Sequence, residues 1–202
     1  MWSPQSLPEP VDNAEVAKLA LRDRVVTARR RRPLSEIGED ARAIADHLLA
    51  APEVRRAATV ACYVSVGTEP GTTALLDRLT SAGKRVVLPV LLPDNDLDWA
   101  TYHGETSLAP AGRGLLEPMS PRLGPGAVAT ADVVLVPGLA VSPAGDRLGR
   151  GGGSYDRALA RVPLGTFTCV LLYADETGVA VPTVTHDRRV AAAATPDGIT
   201  RF

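Results

Sequence analysis

Short apolar runs alternate along the chain with segments whose apolar residues recur every three or four positions. "TVACYVSV" (59–66), "RVVLPVLL" (85–92), "DVVLVPG" (132–138), "TFTCVLLY" (166–173) and "RVAAAAT" (189–195) read as strands buried on both faces. "TTALLDRLTSAG" (72–83) reads as a helix with Gly83 at its C′ position, and "YDRALARV" (155–162) as another. "PDND" (93–96) is a turn, "LDWATY" (97–102) a short strand, and residues 104–131 loop. Strands alternating with helices predict an α/β fold with a mostly parallel sheet covered on both faces. Ligands of such sheets bind beyond the carboxyl ends of the strands. The loops starting at Gly67, Pro93 and Gly138 are therefore expected on one edge.

Two helices precede this pattern. Leading into and along "VAKLALRDRVVTARRRR" (16–32), Ala14, Ala17, Leu21, Val25 and Ala28 share a predicted face; Asp12 and Glu15 form a capping box, and Pro33 stops the helix. Ser35 is the expected cap of the second, whose inner face carries Ile37, Ala41, Ile44 and Leu48. The two helices are expected to pack together as an arm. The run "ARRRRP" reads as a solvated helix end favoured by the helix dipole.

The 202 residues suit one domain, predicted over residues 12–202, with the Pro- and Ser-rich residues 1–11 disordered. The N-terminus has no apolar core of a secretory signal, and no run has the length of a membrane span, so a cytoplasmic protein without a membrane partner is expected. A formal net charge of −1 argues against nucleic acid as a partner. Cys62 and Cys169 lie in apolar runs at no metal-binding spacing and read as reduced core residues.

The chemistry concentrates in "GDRLGRGGGSYDRAL" (145–159). A strand, a glycine-rich turn and a helix start form an arrangement suited to phosphate: the backbone can come close to a ligand and its N–H groups can converge on it. Arg147 and Arg150 supply forked cations. The stretch is neither a Walker A loop nor a dinucleotide fingerprint in its usual place. Glycine content alone fits a flexible turn as well as an anion site; the arginines and the helix entry favour the site.

The same stretch, with "VPGLAV" before it, resembles the signature of the 5-formyltetrahydrofolate cyclo-ligases (methenyltetrahydrofolate synthetases). "KLALR", "YVSVGTEPGT", "GKRVVLPV", "GLLEP" and "VPTVTHD" resemble further islands of that family, in order, from residue 18 to residue 187. The resemblance implies a Rossmann-like three-layer sandwich with N-terminal helices. It implies ATP- and Mg²⁺-dependent cyclisation of 5-formyltetrahydrofolate to 5,10-methenyltetrahydrofolate, with a small-molecule folate as the partner and a monomer or weak dimer as the assembly.

Carried over by position, Lys18 and Arg22 contact ATP phosphates from one helix face, and Arg147, Leu148, Gly149, Arg150, Gly151, Gly152, Gly153, Ser154 and Tyr155 wrap the triphosphate. Arg150 and Lys18 are the catalytic cations. Val64 and Glu69, with Arg150 to Ser154, bind the folate; Asp156 and Asp187 serve Mg²⁺. Read without the resemblance, Lys18 and Arg22 are a solvated basic face and Glu69 an exposed turn residue. Asp156 is then a helix-dipole acid, and Asp187 a partner of Arg188 or Arg189. Ser154 replaces the family's usual aromatic, and Val141-Ser142 a common Phe-Asp. The alternatives are a non-catalytic phosphate-binding regulator on the same fold, or a paralogue acting on another pterin-like substrate. His47 and His103 carry no assigned role, and Trp99 reads equally as a family aromatic or as core.

Overall fold

Side chains alternate in and out along five consecutive parallel strands, so that one sheet divides two cores. The computed structural model describes residues 13–202. Asp12, the expected cap, and residues 1–11, expected to be disordered, lie outside them. In chain order the elements are α1 (Asn13–Arg29), α2 (Leu34–Ala50), α3 (Pro52–Arg56), β1 (Thr59–Ala61), α4 (Thr73–Ser81), β2 (Arg85–Leu91), β3 (Leu97–Thr101), β4 (Leu108–Pro110) and β5 (Leu116–Pro118). There follow β6 (Val133–Pro137), β7 (Ala140–Val141), β8 (Arg147–Leu148), α5 (Ser154–Leu159), β9 (Phe167–Leu171), β10 (Ala192–Thr195) and β11 (Gly198–Arg201).

The central sheet runs β11-β10-β9-β6-β1-β2-β3. Its five inner strands are parallel, and β3 and β11 close the edges antiparallel. The register sets Val60 beside both Val86 and Val133, and Leu135 beside Cys169. On one face Val60, Val86, Leu88, Leu135 and Leu171 pack against Ile44 and Leu48 of α2 and Leu75 and Leu79 of α4. On the other, Ala61, Val87, Val134, Val136 and Val170 pack with Trp99, Val128 and Leu159. This is the mostly parallel α/β sheet that the apolar runs predict. From β1 the chain crosses to β2 on one side and later to β6 on the other. The crevice between the carboxyl ends of β1 and β6 is thus the topological switch point, where such sheets bind ligands.

Several local expectations are corrected. β1 stops at Ala61, well short of Val66. Residues 104–131, read as loop, contain the β4–β5 hairpin. β10 is not the last strand, because the chain turns at Gly198 into β11. Pro33, not Ser35, precedes α2 as its cap, and no side chain caps that end. Gly83 does terminate α4 with φ +76°. Both cysteines are buried and unpaired; burial pushes the Cys62 thiol up to about 12. Trp99 is fully buried core.

The largest correction concerns α1. Its buried stripe is Lys18, Leu21, Val25 and Arg29; Ala17 and Ala28 face solvent. It does not form an arm with α2. Leu21 and Val25 pack on Leu139, Ala140 and Leu148, the base of the β7–β8 ribbon. Arg29, expected in a solvated run, is 1% exposed. Its Nε and one Nη donate to Glu176 at 2.7 Å each, and the same Nη donates to the Gly138 carbonyl at 2.7 Å. Burial disfavours the charge, but the hydrogen bonds and negative charge of Glu176 outweigh it and hold the guanidinium pKa above its usual value.

Removing one member of such a pair leaves a buried charge without compensation. Glu176→Gln should therefore lower stability by roughly 3–5 kcal/mol, while Arg29→Met combined with Glu176→Leu should cost clearly less than the two single changes added. Urea denaturation of Glu176→Gln, Arg29→Met, Glu176→Leu and the double variant checks this; additive losses would show that the two groups are not coupled.

Candidate functional site

Two cavities open at the carboxyl edge of the sheet, and the segment from Arg147 to Asp156 separates them. The β7–β8 ribbon delivers this segment, with Ala140 paired to Leu148 and Val141 to Arg147. Below the loop the Arg147 side chain is almost fully buried. It donates to the Pro137 carbonyl at 3.2 Å and to Asp156 Oδ1 at 3.0 Å, and its Nε has no partner. A Cβ on Gly149 would lie 2.8 Å from that guanidinium, so a side chain there would have to displace the buried Arg147 head. Gly151 (φ +98°) turns the loop back, and Gly153 caps α5 from the left-handed region. Gly152 is not in that region, so its glycine is not required by the backbone. Among the described residues, the N–H groups of Gly149 to Gly153 donate to no protein acceptor. Five successive free donors are an anion-binding surface in waiting. The helix that follows has only six residues, so these amides matter more than its dipole.

The first cavity, about 450 Å³, lies between α1 and the loop. Lys18, Arg22, Arg147, Arg157 and Arg188 line it, against Glu15, Asp156 and Asp187. Lys18 and Arg22 do share one face of α1, but Lys18 is not solvated: its side chain is 5% exposed, and Nζ donates to both Asp187 oxygens at 2.7 and 2.9 Å. Asp187 therefore pairs with Lys18 rather than with Arg188 or Arg189. Arg22 Nε donates to the Gly149 carbonyl at 3.0 Å and so fastens α1 to the loop. The segment carrying Asp187 reaches Asp156, since the Arg188 N–H donates to Asp156 Oδ1 at 3.2 Å, and both acids line this cavity. Leu148 lines this cavity too, although its side chain belongs to the core under α1.

The second cavity, about 400 Å³, lies on the other side of the loop, at the switch point. Tyr63, Val64 and Val66 after β1, Leu91 and Leu97, and Leu115 and Leu116 give it apolar walls. Glu69 is not an exposed turn residue: it is 7% exposed, accepts the Val66 N–H at 2.9 Å, and receives Arg150 Nε at 3.0 Å. Arg150, half exposed, thus reaches from the glycine loop across to the β1 loop. Ser154 and Tyr155 complete the wall beside the loop. Burial and the nearby Glu69 raise the Tyr155 pKa, so the phenol stays protonated.

Every residue singled out from the sequence lines one cavity or both. The sequence reading missed others. Tyr63 is buried with a hydroxyl that has no partner; burial, then the Glu69 charge, raise its pKa and keep it a donor. Glu117, on the hairpin edge of the second cavity, accepts the Leu91 N–H at 2.9 Å. Arg113 lines the same edge. The signal was "GLLEP", which resembles a family island; no site role was drawn from it because the region otherwise reads as loop. No cluster of three or more metal-ligating side chains occurs among the described residues, and no helix there is long and apolar enough to cross a membrane.

Residues 14–196 match the model of the 5-formyltetrahydrofolate cyclo-ligase family. A 5-formyltetrahydrofolate cyclo-ligase of Mycolicibacterium smegmatis is 42% identical over 143 residues, covering 68% of this chain and 73% of that one. One from Escherichia coli is 36% identical over 126 residues, 61% and 68% of the two chains. Among solved structures, a 5,10-methenyltetrahydrofolate synthetase from Aquifex aeolicus superposes with a TM-score of 0.78 at 26% identity, covering 91% of this chain and 92% of that one. One from Mycoplasma pneumoniae, at 19% identity, shares the fold with a TM-score of 0.71, over 89% of this chain and 98% of that one.

The loop geometry separates two glycines that look alike in sequence. Gly151→Ala should cost about 1–2 kcal/mol, because an L-residue is disfavoured at that φ. Gly152→Ala should stay within about 0.5 kcal/mol. Thermal melts of both decide it, and equal losses would mean that the loop does not hold this turn.

Proposed function

The chain belongs to the 5-formyltetrahydrofolate cyclo-ligase family, and we propose that it converts 5-formyltetrahydrofolate and ATP into 5,10-methenyltetrahydrofolate, ADP and phosphate. One observation carries the assignment of parts: a single loop of free amides is the common wall of a cationic cavity and an apolar one. A reaction that moves a phosphoryl group between two bound molecules needs two sites side by side, and one loop bordering both supplies that.

The triphosphate occupies the cationic side. Lys18 and Arg22 meet it from α1, and the amides of Gly149 to Gly153 meet it from the loop. The pterin lies on the apolar side, with Val64 and Tyr63 at its face and Glu69 accepting ring N–H groups. The formyl oxygen then attacks the γ-phosphorus; the new P–O bond forms as the bond to ADP breaks. The formyl carbon, now carrying a phosphate leaving group, is attacked by N10. The C–O bond breaks, phosphate departs, and N10 loses its proton. Arg150 borders the apolar cavity beside the loop, and Lys18 is a nearly buried cation of the other cavity; together they offset charge that builds on the moving phosphoryl group. The rest of the rate comes from holding the reactants together.

Asp156 and Asp187 fit a Mg²⁺ ion in kind. They are neighbouring hard-oxygen donors on the phosphate cavity, and Mg²⁺ takes one or two carboxylates and completes its shell with water and phosphate. When bound it would supply charge neutralisation at the phosphates.

The direct test is the absorbance of the methenyl product, with and without Mg²⁺ and ATP. Product should appear only with both; no product from well-folded protein overturns the reading. Asp156→Asn retains an oxygen for Arg147 and should shift the Mg²⁺ dependence of turnover to higher concentration. A wild-type Mg²⁺ curve with wild-type turnover would remove Asp156 from the metal site.

A further inference from the structure

Three guanidinium groups line the apolar cavity, and two of them are already committed. Arg147 is held by Asp156, and Arg150 by Glu69. Arg113 is not. Among the described residues its side chain makes one hydrogen bond, from Nη1 to the neutral amide oxygen of Asn95 at 3.0 Å, and no ion pair. It is exposed at the mouth of the cavity, on the turn of the β4–β5 hairpin, with the apolar Leu115 and Leu116 following it along the wall.

Its backbone adds a second observation. Arg113 sits at φ +62°, ψ 23°, between Gly112 and Gly114. Asn95, its partner from the β2–β3 turn, is also left-handed, at φ +64°. They are the only non-glycine residues at positive φ among the described residues, and they brace each other. Asparagine tolerates that region; arginine is disfavoured there by about 1–2 kcal/mol. The hairpin turn sets it: the Leu115 N–H donates to the Gly112 carbonyl at 3.2 Å, and Arg113 and Gly114 (φ +72°) are the two left-handed central residues. A charged side chain is thus held in a costly conformation at a cavity mouth. Such a turn favours asparagine or glycine at this place, and an arginine there is a local preference broken, which points to function.

We infer that Arg113 is a subsite for the carboxylate tail of the substrate, which deepens the reading above and rests on it. Folates carry a pterin at one end and a glutamate, with two carboxylates, at the other. With the pterin N–H groups on Glu69, the benzoyl group runs along the apolar wall and the glutamate emerges at the mouth. A free guanidinium fork there matches a carboxylate, and the carboxylate supplies the charge that the protein does not.

The test pairs two substrates on the full chain: 5-formyltetrahydrofolate, and 5-formyltetrahydropteroate, which lacks the glutamate. Arg113→Gln keeps a donor for Asn95 but loses the charge; Arg113→Lys keeps the charge. Wild type should prefer the glutamate-bearing substrate. Arg113→Gln should lose about tenfold in kcat/KM for it, through KM, and little for the pteroate, as expected for a solvent-facing hydrogen bond to a charge. Arg113→Lys should restore part of the preference. Equal losses on both substrates would assign Arg113 to bracing the turn, and no loss would leave it without a role; either result overturns the inference while the ring-closing activity stands. A wild type that makes methenyl product from neither substrate overturns both readings.

Discussion

The site depends on one buried fork, Arg29 with Glu176. Arg29 ends α1, and its guanidinium also holds the Gly138 carbonyl, where the chain leaves β6 at the switch point. Glu176 in turn accepts the Tyr173 N–H, and the Tyr173 hydroxyl donates to the Thr68 carbonyl, next to Glu69. The rings add to this: Arg32 stacks on Tyr173 at 4.1 Å and Arg29 lies 5.4 Å from the same centroid. Three segments far apart in sequence are thereby fixed to one another. They are the helix that carries Lys18 and Arg22, the strand exit that leads to the glycine loop, and the loop that carries Glu69. Apolar packing holds the sheet together without specifying the position of α1. The fork specifies it, because a buried charge tolerates little displacement from its partner.

That placement explains why α1 belongs to the site and not to an N-terminal arm. Leu21 and Val25 alone would let the helix slide over Leu139 and Leu148. Arg29 at one end, Arg22 on the Gly149 carbonyl, and Lys18 on Asp187 give it three polar fastenings along one stripe. Each lies one helical turn from the next apolar contact. The helix reads as amphipathic, but its inner face is half ionic.

This is also where sequence reading succeeds and where it stops. The parallel strands were legible because Val60, Val86, Val133 and their neighbours are apolar on both faces. The glycine loop was legible because Gly149 and Gly151 stand where a side chain is sterically or conformationally excluded. The face of α1 was not, because periodicity counts Lys18 and Arg29 as outward residues; their burial depends on Asp187 and Glu176, more than a hundred positions away. The β4–β5 hairpin was hidden for another reason. Its strands have three residues each and little apolar alternation, so they are set by pairing along the cavity edge and not by local pattern. Gly152 shows the opposite error: it looks like its neighbours, but its backbone does not need to be glycine.

The acids around the loop need an account of their own, since a cavity proposed to take a triphosphate should not favour carboxylates. At an effective dielectric of 20, two like unit charges about 4 Å apart repel by roughly 4 kcal/mol. Yet Asp156 and Asp187 are each bonded to a cation that lines the same cavity. Without them Lys18 and Arg147, nearly buried in the lining of one cavity, would carry unpaired charges. The acids therefore hold the cations in place before any ligand arrives. On the proposed reading, an incoming polyanion shares those cations and leaves two hard carboxylates beside its own oxygens, a combination that only a cation can join. On that reading the positive residues would attract phosphate, and the negative ones would favour phosphate that arrives with a metal.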